Sequence, residues 1–332
     1  MMNKTTKWIL WIVILAVVIS FPKIFGIYYT NVFVLFAIFA LYSLTLNLLL
    51  GFTGLLSFGH ALFFGGGAYA TAIALTRIDG LPLLPAILIG GLTAAVFALI
   101  TSPLLVRVSG TAFAMLTLAF GQLMYVFCLK FRDITGGEDG VGGFPIPPFH
   151  IPGVVSIDMT DPANFYYFAL AVLGVSAWIL WFFTKTPLGS VMVGIRDNAQ
   201  RVDYLGFKVP HTKAIIFLIS GGFAGIAGAI YALLQDLVST DGVLTIGTSF
   251  MPIITTIVGG IGSFAGPIYG AAILIILDEI ITTYTERVEL VTGVVFILVI
   301  MYAPMGFAGF LGVIKQKWLS RSFARTKMEG AS

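Results

Sequence analysis

Hydrophobic stretches long enough to cross a lipid bilayer recur along almost the whole sequence, and this pattern leaves few folds open. A membrane-spanning helix needs about 20 predominantly apolar residues to cross the hydrocarbon core. Charged residues make up only 10% of the 332 residues, whereas a soluble domain carries roughly 25%. Because unpaired backbone groups are costly in lipid, the sequence predicts an all-α, polytopic transmembrane helix bundle.

We expect about ten spans, one of them short or broken. The stretch 247–262 contains Pro252, Gly259 and Gly260, which kink or break a helix; if it re-enters the membrane, the number of crossings falls. No linker or shift in composition divides the chain, so residues 1–332 are predicted to form a single domain. The predicted spans are 8–29, 31–50, 58–76, 82–106, 111–129, 164–183, 213–234, 247–262, 264–281 and 290–310.

The distribution of basic residues predicts the orientation. With ten crossings and a cytoplasmic N-terminus, most of the 18 Lys and Arg residues fall on the cytoplasmic side, as the positive-inside rule requires. Both termini are then cytoplasmic, and the basic tail, 315–327, contacts anionic lipid headgroups. The largest external segment, 131–163, is rich in glycine and proline and is predicted to act as a lid or docking loop. One mis-assigned span before residue 185 would invert the central loop.

A polar segment, 185–213, lies between two apolar stretches and is the strongest indication of function. Thr186 is predicted to cap the start of a helix, Pro187 is typical of a first helical turn, and Gly206 is typical of a helix end. Between them, apolar residues recur every three or four positions and trace one stripe along a helix. They are Val191, Ile195, Ala199, Val202 and Leu205. The segment therefore predicts an amphipathic helix that Gly194 weakens or breaks into two pieces.

The residues alone leave two interpretations of this helix open. It can lie on lipid headgroups, as interfacial amphipathic helices do. It can also be a docking element that transmits force from a soluble partner into the spans. The polar face carries both signs of charge, including Arg196, Asp197 and Arg201, and this mixture favours a protein partner over lipid.

The chain lacks the residue patterns of common enzymes. His60, His150 and His211 are far apart in the sequence, so a metal site is not expected. Cys128 is the only cysteine, which excludes an intramolecular disulfide. Neither the phosphate-binding pattern G-x-x-x-x-G-K-S/T nor the pattern G-x-S-x-G occurs. The ionisable residues avoid the spans, which argues against an enzyme and against a proton-coupled carrier. We expect no cofactor and no nucleic-acid partner.

Several polar side chains fall in or near the predicted spans. They are Asn47, Ser57, His60, Thr117 and Gln122. Because a polar side chain in lipid needs a partner, these residues either hydrogen-bond neighbouring helices together or line a pathway through the bundle. Asn47 and Gln122 are the preferred pathway residues, whereas His60 is better interpreted as a packing residue than as a gate.

Several short segments, in this order along the chain, resemble a known family. The segments are LNLLLG (46–51), GLLSFGHA (54–61), GAY (67–69), TLAFGQ (117–122), TGG (135–137), GIRDNAQ (194–200), LG (205–206), GGIGS (259–263), GP (266–267) and GA (270–271). Together they resemble the permeases of branched-chain amino-acid ATP-binding-cassette importers. The Thr-Gly-Gly segment before a proline-rich loop is more similar to the M-type permease subunit than to its H-type partner.

The resemblance implies a multi-subunit importer in the bacterial inner membrane. A periplasmic binding protein would deliver the substrate, a second, H-type permease subunit would complete the pore, and two cytoplasmic ATPase subunits would dock on 187–206. ATP would then be hydrolysed by those subunits, so this chain would not be an enzyme. The residues implied in ATPase coupling are Ile195, Arg196, Asp197, Asn198, Gln200, Arg201, Leu205 and Gly206.

The chain departs from the family pattern at two positions. The family often carries an acidic residue where this chain has Ala199, and another where it has Gln122. These departures bear on the ATPase contact and on the pathway or its packing. Acidic residues predicted to be external either dock the binding protein or form an ordinary solvated surface. They are Glu138, Asp139, Asp236, Asp241, Asp278, Glu279, Glu286 and Glu289.

The sequence thus predicts a permease subunit that helps to move a small polar solute into the cytoplasm, most consistently a branched-chain or related amino acid. Urea or short amides and aromatic acids are alternative substrates. The alternative function is a self-sufficient, ion-coupled secondary transporter, with its ion site at the broken helix 247–262. Ion-driven uptake by the purified chain alone would favour this alternative.

Overall fold

The computed structural model describes residues 4–151, 155–285, 287–302, 306–307 and 309. The helices are α1 (Lys4–Asn47), α2 (Ala61–Arg77), α3 (Leu83–Leu105), α4 (Gly110–Lys130), α5 (Arg132–Thr135), α6 (Pro162–Lys185), α7 (Pro187–Tyr204), α8 (Val209–Gln235), α9 (Thr240–Val243), α10 (Ile246–Gly259), α11 (Gly266–Tyr284) and α12 (Val288–Tyr302). The short strands are β1 (Val141–Gly142), β2 (Phe149–Ile151), β3 (Val155–Ile157) and β4 (Leu237–Val238).

The structure confirms an all-α membrane bundle, and the expected number of about ten spans is approximate. Seven helical segments within the described residues are long and apolar enough to cross a membrane. They are Val18–Phe52, Leu83–Leu105, Gly110–Lys130, Pro162–Lys185, Val209–Gln235, Thr240–Gly259 and Gly266–Tyr284. Helix α2 has 17 residues and α12 has 15, at or below the lower limit of about 17 residues for a span.

The first two predicted spans, 8–29 and 31–50, correspond to the two halves of α1, which meet at Gly26. The rings of Phe21 and Phe33, on either side of Gly26, lie 4.9 Å apart, so the chain bends sharply there. Gly26 has φ 76° and ψ 177°, a backbone conformation that glycine adopts without the steric penalty of a Cβ. The helix ends in a π-helical turn, Leu48–Phe52. At the other end of the chain, the predicted lipid-binding tail, 315–327, lies outside the described residues.

The stretch predicted to be short or broken, 247–262, contains α10. Pro252 lies inside this helix without ending it. The helix stops before Gly260, whose φ is 117°, and Gly262 follows with φ 78°. The interruption therefore lies at the end of the helix, where glycines turn the chain into α11.

Close approach of helix backbones builds the centre of the bundle from α2, α3 and α8. A Cβ added to Gly228 of α8 would lie 1.9 Å from the carbonyl oxygen of Phe64 in α2. One added to Gly225 would lie 2.9 Å from the carbonyl oxygen of Gly90 in α3. Only glycine leaves room for these contacts, which matter because helices in lipid associate through close packing.

Contacts between distant segments distinguish two ends of the bundle. At the α7 end, Arg196 of α7 contacts Gly51 of the π-helical turn. At the opposite end, β1 pairs with β4, with Val141 opposite Val238. Helix α3 runs antiparallel to α8, because Ala98 lies against Gly221 and Gly90 lies against Ala229. The connection from α3 to α4 is therefore at the α7 end.

The loop 131–163 folds onto the opposite end of the bundle. Its strand β2 pairs with β3 in an antiparallel hairpin, with Phe149 opposite Ile157. The side chains of Phe144 and Met159 are buried against the helices. Residues 152–154 lie outside the described part of the chain. The loop covers this end, and its role as a lid or docking loop stays a prediction.

Candidate functional site

Helix α7 occupies the predicted position in the central loop. It begins at Pro187 and ends at Tyr204, just before Gly206, whose φ is 89°. Thr186 precedes the helix as predicted, but its hydroxyl does not cap α7. Instead it donates a hydrogen bond of 2.7 Å to the carbonyl oxygen of Phe183, at the end of α6. The boundaries were thus predicted correctly, whereas the capping interaction was not.

The break in α7 lies at Asn198 and not at Gly194. Asn198 has φ −162° and ψ 98°, which is extended backbone inside the helix. Its side-chain oxygen accepts a hydrogen bond of 2.9 Å from the backbone N–H of Arg201, as an N-cap residue does. Gly194 stays helical, and a Cβ added there would lie 3.0 Å from the side chain of Val202. The small residue lets the two halves of α7 pack closely.

The apolar stripe of α7 faces the protein along most of its length. Ile195 and Val202 form a small buried cluster with Val209, and Val191 and Ala199 pack against it. This confirms four of the five residues of the predicted stripe.

The fifth stripe residue, Leu205, is 71% exposed. Tyr204 is 88% exposed and Phe207 is 48% exposed beside it. These three side chains form a hydrophobic surface at the α7 end, here called the α7 patch. Contiguous exposed apolar groups mark interaction sites. The sequence signal that could have identified the patch is a pair of aromatic residues, Tyr204 and Phe207, on either side of Leu205 and Gly206 in a polar loop.

Arg196 connects α7 to the end of α1. Its Nη1 donates a hydrogen bond of 2.8 Å to the carbonyl oxygen of Gly51. Its Nε lies 3.2 Å from Oδ1 of the adjacent Asp197. The guanidinium thus contacts the bundle through Nη1, although the Arg196 side chain is 38% exposed. Asp197, Gln200 and Arg201 are also exposed on the surface of α7.

Asn47 is fully buried and joins α1 to the loop between α10 and α11. Its Nδ2 donates a hydrogen bond of 2.9 Å to the carbonyl oxygen of Ser263, and its Oδ1 accepts one of 3.3 Å from the backbone N–H of Gly262. Both polar atoms of the side chain have partners within the chain. This is the arrangement expected of a residue that holds helices together.

Three of the other candidate pathway residues meet where the segment between α1 and α2 contacts α4. Thr117 Oγ1 accepts a hydrogen bond of 3.1 Å from the backbone N–H of Phe58. His60 Nε2 lies 2.9 Å from the hydroxyl of Thr45. The Oγ of Ser57 and the Nδ1 of His60 are buried and have no hydrogen-bond partner among the described residues. Two polar atoms in this region are therefore available to a further group.

Gln122 lies next to this region without joining its hydrogen bonds. The preceding residue, Gly121, packs against Gly59: a Cβ added to Gly121 would lie 3.2 Å from the Cα of Gly59. The side chain of Gln122 is partly exposed. The structure brings Ser57, His60 and Thr117 together near Gln122 and places Asn47 separately, beside Arg196.

The predicted acidic surface lies at the opposite end of the bundle. Asp241 accepts a hydrogen bond of 2.8 Å from the hydroxyl of Tyr125, and Glu279 accepts one of 2.6 Å from Tyr28. In the adjoining loop, the backbone and hydroxyl of Thr160 donate hydrogen bonds to Asp158, and these lower the pKa of its carboxyl group. Glu286 and the side chain of Glu289 lie outside the described part of the chain.

Potential metal ligands do not cluster in the part of the chain that the structure describes. No group of three or more His, Cys, Asp or Glu side chains is placed there to hold a metal ion. The arrangement at the α7 end instead offers an exposed surface for contact and hydrogen bonds that lead inward from it.

The apolar helices and the amphipathic helix held between two of them define a polytopic membrane protein. The sequence profile of the family described as "Branched-chain amino acid transport system / permease component" matches residues 28–303. The chain therefore belongs to this permease family.

Similar proteins include both permease types of such systems. The chain is 27% identical over 323 residues to "High-affinity branched-chain amino acid transport system permease protein LivM" of Escherichia coli (strain K12), covering 92% of this chain and 76% of the relative. It is 22% identical over 324 residues to "Probable branched-chain amino acid transport permease protein LivM" of Methanocaldococcus jannaschii, covering 82% and 90%. The protein named LivH in that organism is 28% identical over 155 residues, covering 46% and 47%. No solved structure matches the chain.

The matches confirm the predicted resemblance to the M-type subunit. The LivM proteins align with most of the chain, whereas the LivH protein aligns with about half of it. The family also supports the transport function that the resemblance implied.

Proposed function

We propose that this chain is the M-type permease subunit of an ATP-binding-cassette importer for branched-chain amino acids. The family and the names of the LivM relatives support the substrate class. A second permease subunit would complete the transport pathway, as the separate LivM and LivH relatives suggest. Residues 1–332 would act as one domain in this assembly, since α1 to α4, α6 and α8 share one hydrophobic core and α10 and α11 pack against α1.

The observation that carries this proposal is the α7 patch. Tyr204, Leu205 and Phe207 are exposed beside the polar residues of α7. An interface centre built from aromatic and aliphatic anchors, with charged residues around it, is typical of protein–protein contacts. The chain lacks a phosphate-binding pattern of its own, so two separate ATPase subunits, docked on α7, would supply the energy of ATP hydrolysis.

We infer that the α7 end faces the cytoplasm of a bacterium, with the chain in the inner membrane and both termini cytoplasmic; the positive-inside rule supports this orientation. The exposed residues Asp197, Gln200 and Arg201 then face the ATPase subunits, together with Leu205 and Gly206. The opposite end faces the periplasm. There, Asp241, Glu279 and the adjacent carboxylates would dock the substrate-binding protein.

Transport assays in proteoliposomes test this function. We expect uptake of radiolabelled leucine only when the chain is reconstituted with its second permease subunit and ATPases, with ATP on the ATPase side and the binding protein on the other. An ATPase variant that cannot hydrolyse ATP provides the control. Competition with urea, short amides and aromatic acids tests the alternative substrates. Uptake by this chain alone, driven by an ion gradient, would contradict the proposal and favour a secondary transporter.

A further inference from the structure

We propose that Arg196 is the positioning residue that transmits movement of α7 to the membrane helices, by capping the end of α1 from a distant part of the chain. The inference rests on the proposed function, since it takes α7 as the helix on which the ATPases act. It assigns Arg196 to the link behind the docking surface and not to the surface itself.

The carbonyl groups at the end of α1 show why a cap is needed there. The last carbonyls of a helix lack partners within the helix. In the π-helical turn, the Leu48 carbonyl accepts a hydrogen bond from the Thr53 hydroxyl, and the Leu49 carbonyl accepts one from the backbone N–H of Leu55. The Gly51 carbonyl accepts its hydrogen bond from Arg196, which is 145 residues away in the sequence. Residues close in sequence donate hydrogen bonds to the carbonyls of Leu48 and Leu49, whereas α7 donates the hydrogen bond to the carbonyl of Gly51.

The charge of Arg196 suits this position. The carbonyl end of a helix carries a partial negative charge and attracts cations. A hydrogen bond from a charged donor is also stronger than one between neutral groups. Asp197 holds the guanidinium from the other side, with its Oδ1 3.2 Å from Nε of Arg196. Because Asp197 belongs to α7 and Gly51 to the end of α1, the guanidinium joins the two segments.

Glycines make room for the guanidinium between three segments. A Cβ added to Gly54 would lie 3.1 Å from Cγ of Arg196, and one added to Gly262 would lie 3.2 Å from its Nη1. Gly51 has no space for a side chain either, since its Cβ would lie 2.0 Å from Oδ1 of Asn47. Arg196 therefore lies where α7, the end of α1 and the loop after α10 meet.

From this meeting point, hydrogen bonds continue into the bundle. Asn47 binds the loop between α10 and α11 through Gly262 and Ser263. Further along α1, the carbonyl oxygen of Ser43 accepts a hydrogen bond from Thr256 of α10. A displacement of Arg196 would thus reach α1, α10 and the start of α11 together.

The test compares Arg196→Met and Arg196→Lys in the complete reconstituted transporter. We expect Arg196→Met to assemble with the ATPases and to hydrolyse ATP as the wild type does. Solute transported per ATP should fall about tenfold or more, as expected for loss of a hydrogen bond to a charged group. Arg196→Lys keeps the charge and a donor and should retain most of the coupling. Arg107→Met, which removes an exposed arginine from the α3–α4 connection at the same end, should leave transport unchanged.

Three results would overturn the inference. Wild-type coupling in Arg196→Met would show that the cap transmits nothing. Loss of ATPase binding in Arg196→Met would assign the residue to the docking surface instead. If the Arg196→Met chain does not fold into the membrane, an assembled Arg196→Lys complex that is as uncoupled as a transporter without ATP would equally exclude the cap. Failure of the wild-type chain to bind any ATPase would refute the proposed function itself, which is a separate outcome.

Discussion

Tyr204 is the most exposed member of the α7 patch, at 88%, and it makes the docking proposal testable by a single substitution. Replacement by glutamate puts a charge where a hydrophobic anchor is proposed, without disturbing the buried core. Interface anchors of this kind contribute at least about tenfold in affinity. We expect Tyr204→Glu to weaken ATPase binding by that factor, measured by co-purification and titration.

Tyr284 provides the matched control for this substitution. It is 85% exposed and lies at the end of α11, at the opposite end of the bundle. Tyr284→Glu should therefore leave ATPase binding unchanged. Equal ATPase affinity of the Tyr204→Glu and wild-type chains would remove the α7 patch from the interface.

Asn198 has a local structural role that is separable from docking. Its side chain caps the second half of α7 through the backbone N–H of Arg201. Loss of an N-cap costs about 1 kcal/mol, so amides of 201–204 should exchange with solvent about fivefold faster in Asn198→Ala. Asn198→Ser can still cap and should exchange nearly as slowly as the wild type. Equal protection in all three chains would rule out the cap.

Residues such as Leu205 illustrate what the sequence does not determine. The periodicity of α7 places Leu205 on the apolar stripe, yet α7 ends at Tyr204, and Leu205 beyond it is exposed although Val202 stays buried. The inward direction of Arg196 was equally unpredictable, because its partner, Gly51, belongs to a segment 145 residues away. The residue types of α7 predicted an amphipathic helix, but the direction in which each side chain points depends on contacts between distant segments.

At the scale of helices, the packing of α2, α3 and α8 depends on glycine. Gly228 of α8 touches the backbone of α2, where an added Cβ would lie 1.9 Å from the Phe64 carbonyl oxygen. Forcing a methyl group into such a contact costs about 1–3 kcal/mol. We expect Gly228→Ala to lower the thermal unfolding temperature of the purified protein.

Gly174 of α6 is the control for Gly228. It also lies inside a helix, but nothing lies within 4 Å of an added Cβ. Alanine has the higher helix propensity, so Gly174→Ala should leave the unfolding temperature unchanged or raise it. A similar loss of stability in both variants would mean that helix packing at Gly228 is not the cause.

The contact between α7 and the end of α1 can be tested by cross-linking. A Cβ added to Gly54 would lie 3.6 Å from the Cβ of Arg196, within the range of about 3.5–4.5 Å found in disulfides. In a Cys128→Ser background, Gly54→Cys with Arg196→Cys should form a disulfide in the resting transporter, seen by mass spectrometry. Gly110 matches Gly54 in its positive φ and lies at the same end, in open space. Gly110→Cys with Arg196→Cys should therefore remain unlinked, and equal linking of both pairs would contradict this contact.

The sequence predicted which segments form helices better than it predicted where those helices end and how they are connected. Apolar runs identified most of the long helices, because few residues in a bilayer can be polar. The division between 8–29 and 31–50 was predicted close to its position, since the non-helical backbone of Gly26 separates the two halves of α1. In α10, by contrast, Pro252 lies inside the helix, and the glycines after it make the turn.

At the scale of the whole molecule, the two ends of the bundle would bind different partners. The α7 end carries an exposed hydrophobic patch and, behind it, the Arg196 contact with α1. The opposite end carries Asp241, Glu279 and the folded loop 131–163. ATPases on one side and a binding protein on the other would act on the same helices from opposite faces of the membrane. This arrangement depends on the α7 end being cytoplasmic.

Thiol labelling in intact cells measures that sidedness most directly. In a Cys128→Ser background, Tyr204→Cys reports on the α7 end and Asp139→Cys reports on the opposite end. A membrane-impermeant maleimide should label Asp139→Cys from outside, and Tyr204→Cys only after the inner membrane is permeabilised. Added ATPase subunits should then protect Tyr204→Cys. Labelling of Tyr204→Cys from outside intact cells would place α7 on the wrong side of the membrane and contradict the account.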